Sequence, residues 1–138
     1  VEQASWNLPL MGDVFQLDGS NSVFAADEID EEIKGRVSRH DIHPTGPLWG
    51  RGRLMSHSGV GELEQSIAAS MPELRDGLEH AGLKQERRAL RLPVPDLQAE
   101  QETISSWVLS FFLPSGCYAT SVMRELVDYQ LAELITGE

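Results

Sequence analysis

The chain of 138 residues has the size of one compact domain or of parts of two, and its apolar fraction of 41% excludes an intrinsically disordered protein. Its 11 basic and 22 acidic side chains give a net charge of 11 − 22 = −11, an unfavourable balance for a protein that binds nucleic acid. No apolar run approaches the ~20 residues of a membrane helix, and the first residues are not a signal peptide. One cysteine excludes an internal disulfide and suits a reducing cytosol. Val1 in place of Met indicates that the chain begins inside a longer protein.

A short strand is the first predicted element. The apolar run at 14–17 ends at Asp18-Gly19, a turn signal typical of hairpins. Asp13 stands at the entry of this strand. It is either a buried structural acid or a site residue, and its position at a strand entry favours the structural role.

A helix is predicted over residues 27–39. Acidic side chains crowd its start and basic ones its end, which suits the helix dipole. The acidic run lacks the glycine and the spacing of an EF-hand loop, so a solvated helix face is a better interpretation than a calcium site. The apolar positions repeat at i, i+4 and i+8 and are Ile29, Ile33 and Val37.

Residues 40–53 are predicted to form a loop, because proline and glycine recur through them. His40 and His43 have a spacing that can bind a metal on a helix. Pro44 argues against a helix, however, and no nearby cysteine completes the set of ligands. We therefore expect no metal here.

A flexible basic segment closes this loop. Arg51 and Arg53 alternate with Gly50 and Gly52 beside Trp49. Such a segment can contact an RNA phosphate or stack a base. The simpler interpretation is a surface loop anchored by a buried Trp49.

Two helices are predicted over residues 58–82. Pro72 suits the first turn of the second helix, and Gly82 is a suitable residue to follow its end. The apolar stripe of the first helix consists of Val60, Leu63, Ile67 and Met71, and that of the second consists of Leu74, Leu78 and Ala81.

The densest basic cluster lies at 84–92, where Leu90 and Leu92 alternate with Arg91 as in a half-exposed strand. The cations of this cluster can grip phosphate, and they can equally pair with the acidic helices of the same chain. Both interpretations stay open. The cations are Lys84, Arg87, Arg88 and Arg91.

The best boundary in the chain is the turn-rich segment 93–96. A strand over 103–113 is predicted after it, with apolar side chains on both faces, so we expect cover on both sides for part of its length. Pro114 cannot donate to a ladder and ends the strand. Gly116 then permits a sharp reversal of the backbone.

A second connection follows this reversal and leads into a closing helix. Thr120 or Ser121 can cap that helix, whose apolar side runs as far as Leu134 and is expected to pack on the sheet. Cys117 and Tyr118 lie on the connection between strand and helix. Cys117 is better interpreted as a small turn residue than as a nucleophile, since no histidine has motif spacing to it.

The connection carries a recognisable motif. Residues 111–126 read Phe-Phe-Leu-Pro-Ser-Gly-Cys-Tyr-Ala-Thr-Ser-Val-Met-Arg-Glu-Leu, which resembles the C-terminal signature of the TruD family of tRNA pseudouridine synthases. Serine is more usual in that family where Cys117 stands, and phenylalanine is often found where Tyr118 stands. Weaker similarities lie upstream, at Gly12-Asp13-Val14, Trp49-Gly50 and Arg87-Arg88-Ala89.

The resemblance implies an isomerase that converts uridine to pseudouridine in tRNA, at uridine-13 of the D-arm, in the cytoplasm and without a metal or organic cofactor. Pseudouridine synthases use one aspartate, cleave the glycosidic bond of uridine, rotate the uracil and rejoin it through carbon. The resemblance places that aspartate in the N-terminal half of the TruD family, with an Asn-x-Phe-Gly-x-Gln-Arg-Phe-Gly-type motif that does not occur here. No Asp of this chain is therefore assigned as the catalyst, and the nucleophilic Asp is expected upstream.

The family has an aromatic residue against the target uracil at the position of Tyr118, so Tyr118 is the substrate-binding residue that we expect.

The family also implies a domain organisation, in which an inserted α/β domain interrupts the catalytic domain. By that analogy, residues 1–92 are the later part of the insert and residues 93–138 return to the catalytic domain, which gives an α/β or α+β fold with a mixed sheet. The expected partners are tRNA and the N-terminal half of the same protein, and this segment alone is expected to be inactive. The competing hypothesis is a non-catalytic module that holds RNA or a protein partner through the basic stretch 84–91.

Overall fold

Helices and antiparallel strands make up both parts of the chain. The computed structural model describes residues 6–128, and the chain divides between Pro93 and Val94 into two units. Every strand pair in the two sheets is antiparallel, which confirms the predicted mixture of helices and strands in its α+β form. Within residues 6–128, no helix has both the length and the apolar character that crossing a membrane requires.

The first unit contains four strands and three helices. Its strands are β1 (Val14–Leu17), β2 (Val23–Ala25), β3 (Ile42–Leu48) and β4 (Glu86–Ala89), and its helices are α1 (Glu31–Ser38), α2 (Ser58–Ser70) and α3 (Pro72–His80). The strands lie in the order β2-β1-β3-β4 across one sheet. The strand predicted at 14–17 and the two helices predicted over 58–82 are confirmed, and the break between the helices falls at Pro72.

Helix α1 begins later than predicted, because Asp30 caps it. The Ile33 N–H donates to the Asp30 carboxylate at 2.8 Å, and this bond satisfies one of the free donors of the first turn. The predicted start at residue 27 is therefore wrong by several residues. The predicted apolar stripe is confirmed within the helix at Ile33 and Val37, and Ile29, which precedes the helix, also packs against the core.

A small apolar core lies between α1 and the sheet. Phe15 of β1 and Ile42 of β3 are fully buried, and Val37 of α1 joins them. The rings of Phe15 and Phe24 lie with their centroids 5.8 Å apart, across the β1–β2 pair. Burial of each such side chain contributes roughly 1.5–3 kcal/mol, so this cluster is the main apolar anchor of the sheet.

Strand β3 occupies much of the segment predicted as a loop. The loop prediction for 40–53 is wrong over Ile42–Leu48, which pairs with β1 on one side and β4 on the other. Pro44 has no N–H to donate, but its carbonyl accepts the Leu90 N–H at 2.9 Å, so only one ladder bond is lost there. Pairing along both edges offsets the poor strand propensity of the prolines.

The buried face of α2 coincides only in part with its apolar stripe. Leu63 and Ile67 are 48% and 49% exposed, whereas Val60, Glu64 and Ala68 are buried. Of the predicted stripe, Val60 is buried, while Leu63 and Ile67 are exposed. The buried face carries one carboxylate, and such a group is stable there only with a cation beside it.

That cation is Arg87, which joins β4, β3 and α2. Two of its nitrogens contact the two Glu64 oxygens at 2.9 Å, and it also donates to the Thr45 hydroxyl and carbonyl oxygens at 2.8 Å each. The Arg87 and Glu64 side chains are 2% and 9% exposed. Thr45 follows Pro44, which pairs with Phe15, so Thr45 points to the opposite face of the sheet. Helix α2 therefore covers the second face.

The second unit is a β-hairpin followed by a helix. Strand β5 (Gln98–Thr103) pairs with β6 (Ser106–Ser110), and α4 spans Ala119–Leu126. The strand predicted over 103–113 is wrong at both ends, because the hairpin turn occupies 104–105 and strand pairing stops at Ser110. The expected cover on both faces is also absent within the described residues of this unit, where Trp107 of β6 is 61% exposed.

Helix α4 begins at Ala119, before both of the residues that were predicted to cap it. Tyr118, not Thr120 or Ser121, is the N-cap residue, and the backbone of Val127 is extended, so the helix ends at Leu126. The predicted continuation from residue 129 to Leu134 lies outside the described residues.

Gly12 allows the first test of this fold. Its φ is 94°, and an added Cβ would lie 1.9 Å from the His57 backbone oxygen at the start of α2. Gly12→Ala should therefore destabilise the protein by more than the ~1–2 kcal/mol of a left-handed non-glycine backbone. Gly19→Ala is the matched control, because Gly19 has a φ of 65° with no atom within 4 Å of an added Cβ. Urea denaturation that gives equal losses would contradict the close packing of Gly12 against α2.

The Arg87–Glu64 pair allows a second test. Arg87→Met leaves a buried carboxylate without its partner and should lower the free energy of unfolding by about 3–5 kcal/mol. Arg39→Met removes the partner of Asp41 at the exposed end of α1 and should cost less than about 1 kcal/mol. Both values come from urea denaturation monitored by circular dichroism. A loss for Arg87→Met as small as that of the control would show that α2 does not depend on this pair.

Candidate functional site

Tyr118 lies on a tight connection between an extended segment and α4. The Cys117 N–H donates to the Pro114 carbonyl at 3.2 Å, and Gly116 adopts a φ of 85° that a side chain would disfavour. The backbone of Tyr118 is extended, and its carbonyl accepts the Ser121 N–H at 3.0 Å. The backbone on both sides of the ring is thus held by hydrogen bonds, so the ring is presented from a defined position.

The Tyr118 ring is 70% exposed in the unit that contains it. Large apolar side chains in the described part of the same unit are exposed as well, and they are Leu97, Ile104, Trp107, Val108, Phe112, Leu126 and Val127. An accessible aromatic face can stack a planar group such as a nucleobase. The ring is not engaged in packing within its own unit.

The next feature of the connection is Cys117, the residue before Tyr118. Cys117 is a half-buried free thiol. Across residues 6–128, no group of three or more His, Cys, Asp and Glu side chains is arranged to hold a metal ion. Within the described residues, no hydrogen bond joins the Cys117 thiol to a histidine or carboxylate that could act as its base.

His43 is a structural residue of β3. Its Nε2 lies 2.8 Å from the Asp18 carboxylate, and the Arg91 Nε donates to its Nδ1 at 3.0 Å. Because arginine only donates, Nδ1 is the acceptor and Nε2 carries the proton. Both ring nitrogens are thus occupied, and His43 has no lone pair left for a metal with His40.

Pairing with an acidic helix, one of the two interpretations of the basic stretch, is confirmed for one residue, and phosphate binding stays a prediction. Arg87 pairs with an acidic helix, through Glu64. Arg91 donates to the carbonyls of Val37 and Ile42, and burial lowers the pKa of its guanidinium. Both arginines are committed to internal contacts, whereas Lys84 stays exposed.

Trp49 anchors the basic segment that follows β3. Its indole N–H donates to the Glu79 carboxylate at 2.9 Å, and the side chain is half-buried. The Arg51 guanidinium donates to the carbonyls of Glu79 and His80 at the end of α3. The segment is thus fastened to α3, in agreement with the simpler of its two interpretations.

An apolar groove of about 350 Å³ lies in the first unit, between the α2–α3 pair and the end of β3. Residues of both predicted apolar stripes line this groove, but the sequence alone did not place the two stripes beside each other. Helices α2 and α3 carry five acidic side chains and one arginine, so this surface disfavours a polyanion. The apolar lining consists of Pro47, Trp49, Ile67, Ala68, Met71, Leu74 and Leu78.

Asp13 is a buried structural acid, as its position favours. Its carboxylate accepts the Leu10 N–H at 2.6 Å. Burial raises the pKa of this carboxyl, although the Leu10 hydrogen bond and the nearby Arg87 charge act in the opposite direction. Through this hydrogen bond the side chain holds residue 10 close to the start of β1.

The raised pKa predicts a pH-dependent stability. Above the ordinary aspartate pKa of about 4, the unfolded chain releases this proton before the folded protein does, so the contribution of Asp13 to stability falls as pH rises through that window. Asp13→Asn keeps an acceptor for Leu10 and removes the titration. Urea denaturation between pH 4 and 8 should therefore show the free energy of unfolding of the wild type falling relative to the variant. A difference that stays constant, or that grows with pH, would contradict the raised pKa.

Comparison with known proteins assigns the chain to a family. The family model described as tRNA pseudouridine synthase D (TruD) matches residues 1–126. A relative named tRNA pseudouridine synthase D from Methylococcus capsulatus is 47% identical over 94% of this chain and 36% of its own length. Relatives of the same name from Nitrosococcus oceani and Colwellia psychrerythraea are 48% and 42% identical, over 96% and 94% of this chain.

The chain spans 36–38% of the length of these curated relatives. The match of the family model extends from the first residue through the whole motif at 111–126 and includes both structural units. The chain therefore belongs to the TruD family of tRNA pseudouridine synthases.

Proposed function

We propose that this chain is a segment of an enzyme that isomerises uridine to pseudouridine in tRNA, at uridine-13 of the D-arm, and that Tyr118 contacts the target uracil. The reaction breaks the bond between the ribose carbon and N1 of uracil, and it forms a bond from the same ribose carbon to C5. C5 loses its proton and N1 gains one, so the reaction needs no oxidant or reductant. The cytoplasm, where tRNA is processed, is the compartment that we propose.

The observation that carries this proposal is the exposure of the Tyr118 ring on a short, hydrogen-bonded connection. A uridine taken out of its RNA helix loses its stacking partners, and an aromatic face restores ~1–3 kcal/mol of stacking. Because hydrogen bonds hold the backbone on both sides of Tyr118, less backbone entropy is lost when the ring stacks. Tyr118 therefore suits the recognition of a flipped base.

The division of the chain into two units supports a proposal for its domains. We assign residues 1–92 to the later part of the inserted domain and residues 93–138 to the catalytic domain. The described part of the second unit leaves both faces of the β5–β6 hairpin open, with Ile104 97% exposed. Water-exposed apolar surface of this extent indicates a missing partner. The N-terminal half of the same protein, which supplies the nucleophilic aspartate, is the partner that we propose.

The competing hypothesis of a non-catalytic module relied on the whole basic stretch 84–91. Arg87 is enclosed by Glu64 and Thr45, so it cannot serve an external partner without breaking the fold. The encoding reading frame discriminates between the two hypotheses. An aspartate-bearing motif upstream of Val1 supports the enzyme, and a native start near Val1 supports the module.

Substitution of Tyr118 tests the enzyme directly. In the complete polypeptide that carries this segment, Tyr118→Ala should lower pseudouridine formation about 10- to 100-fold, because ~1–3 kcal/mol of stacking is lost. The release of tritium from tRNA labelled at C5 of uridine measures this rate.

Tyr118→Phe is the matched control, since it keeps the ring and removes only the hydroxyl. Its rate should stay within a few-fold of the wild type, and the circular dichroism spectra of both variants should match the wild type. Unchanged turnover by Tyr118→Ala would remove Tyr118 from the site, and a rate for Tyr118→Phe as low as that of Tyr118→Ala would assign the role to the hydroxyl and not to the ring.

A further inference from the structure

Two basic segments that are distant in sequence meet side by side in the first unit. Arg51 and Lys84 form an isolated parallel bridge. The Arg51 N–H donates to the Leu83 carbonyl at 2.7 Å, and the Gln85 N–H donates to the Arg51 carbonyl at 2.8 Å. Gly50 permits this approach, because an added Cβ would lie 2.5 Å from the backbone of Lys84. The bridge therefore places the cations of both segments next to each other.

A third cation follows on the same segment. Arg53 is two residues beyond Arg51, so their Cα atoms are at most about 7 Å apart. Gly52 between them has a φ of 134°, and an added Cβ would lie 3.4 Å from the Gln85 Cβ, so this segment stays beside the residues that follow Lys84. We name Arg51, Arg53 and Lys84 the basic ridge.

The positive charge of the basic ridge is not neutralised by the carboxylates around it. Within residues 6–128, no Asp or Glu oxygen lies within 4.0 Å of the Lys84 or Arg53 nitrogens. The Arg51 guanidinium contacts carbonyl oxygens at the end of α3, which carry partial charges only. Arg87 and Arg91, by contrast, are used inside the fold.

We infer that the basic ridge binds the phosphodiester backbone of the RNA substrate, a role that rests on the proposed function. Arg51, Arg53 and Lys84 are all exposed, and Arg and Lys side chains are the usual cationic donors to phosphate. Such contacts hold RNA irrespective of its sequence, while Tyr118 acts on one base. The ridge gives a protein with a net charge of −11 one locally positive place for a polyanion.

The test compares two charge-matched double variants of the complete polypeptide. Arg53→Gln/Lys84→Gln removes two ridge cations, and Lys34→Gln/Arg39→Gln removes the same residue types from α1 and its C-terminal end, where both side chains are exposed. We would measure the Kd for tRNA at several salt concentrations, together with KM and kcat for pseudouridine formation.

The ridge variant should raise Kd and KM about tenfold, leave kcat within about twofold, and flatten the salt dependence of log Kd by about two units, one for each lost phosphate contact. The control variant should change each quantity less than about twofold. Equal behaviour of the two variants would overturn the ridge as a phosphate site. A wild type that binds tRNA without turnover would instead overturn the proposed function, and the ridge would then be judged from Kd alone.

Discussion

The first unit depends on one guanidinium held between two strands and a helix. Burying an ion costs several kcal/mol, and the fold accepts that cost because Arg87 finds two carboxylate oxygens and two oxygens of Thr45. A bidentate arginine–carboxylate pair also has a fixed direction, unlike an apolar contact. It therefore sets the rotation of α2 about its own axis. That rotation turns Glu64 inward and leaves Leu63 and Ile67 outside.

Those features of the first unit that follow from local chemistry could be predicted from the sequence. The helix break at Pro72, the turn after β1 and the apolar stripe of α1 depend on residues close together in the chain, and they were predictable for that reason. The strand at Ile42–Leu48 was not, since composition favours a loop there. It forms because β1 and β4 lie on either side, a fact of tertiary structure that no local window contains.

The candidate site shows the same contrast. The motif at 111–126 could be recognised from its residue order alone, and it led to Tyr118 and to the family. Which cations of the basic stretch are buried could not be predicted from the residue order. Side chains alternate along β4, and Arg87 faces inward only because β4 pairs with β3. The meeting of Arg51 with Lys84 likewise needs a bridge between residues 33 positions apart in the sequence. Cations that are equivalent in the sequence therefore have two different roles, since some make internal contacts and others form the exposed basic ridge.

Helices α2 and α3 contact the sheet at few points. This determines which part of the first unit should open first by local unfolding. Helix α2 has no side-chain cap at its N-terminus, and α3 has no buried residue. Local opening should begin at α3, where amide hydrogens exchange with solvent long before those of β3. The groove beside Trp49 would then widen and narrow with each such fluctuation, while the apolar core under α1 stays closed.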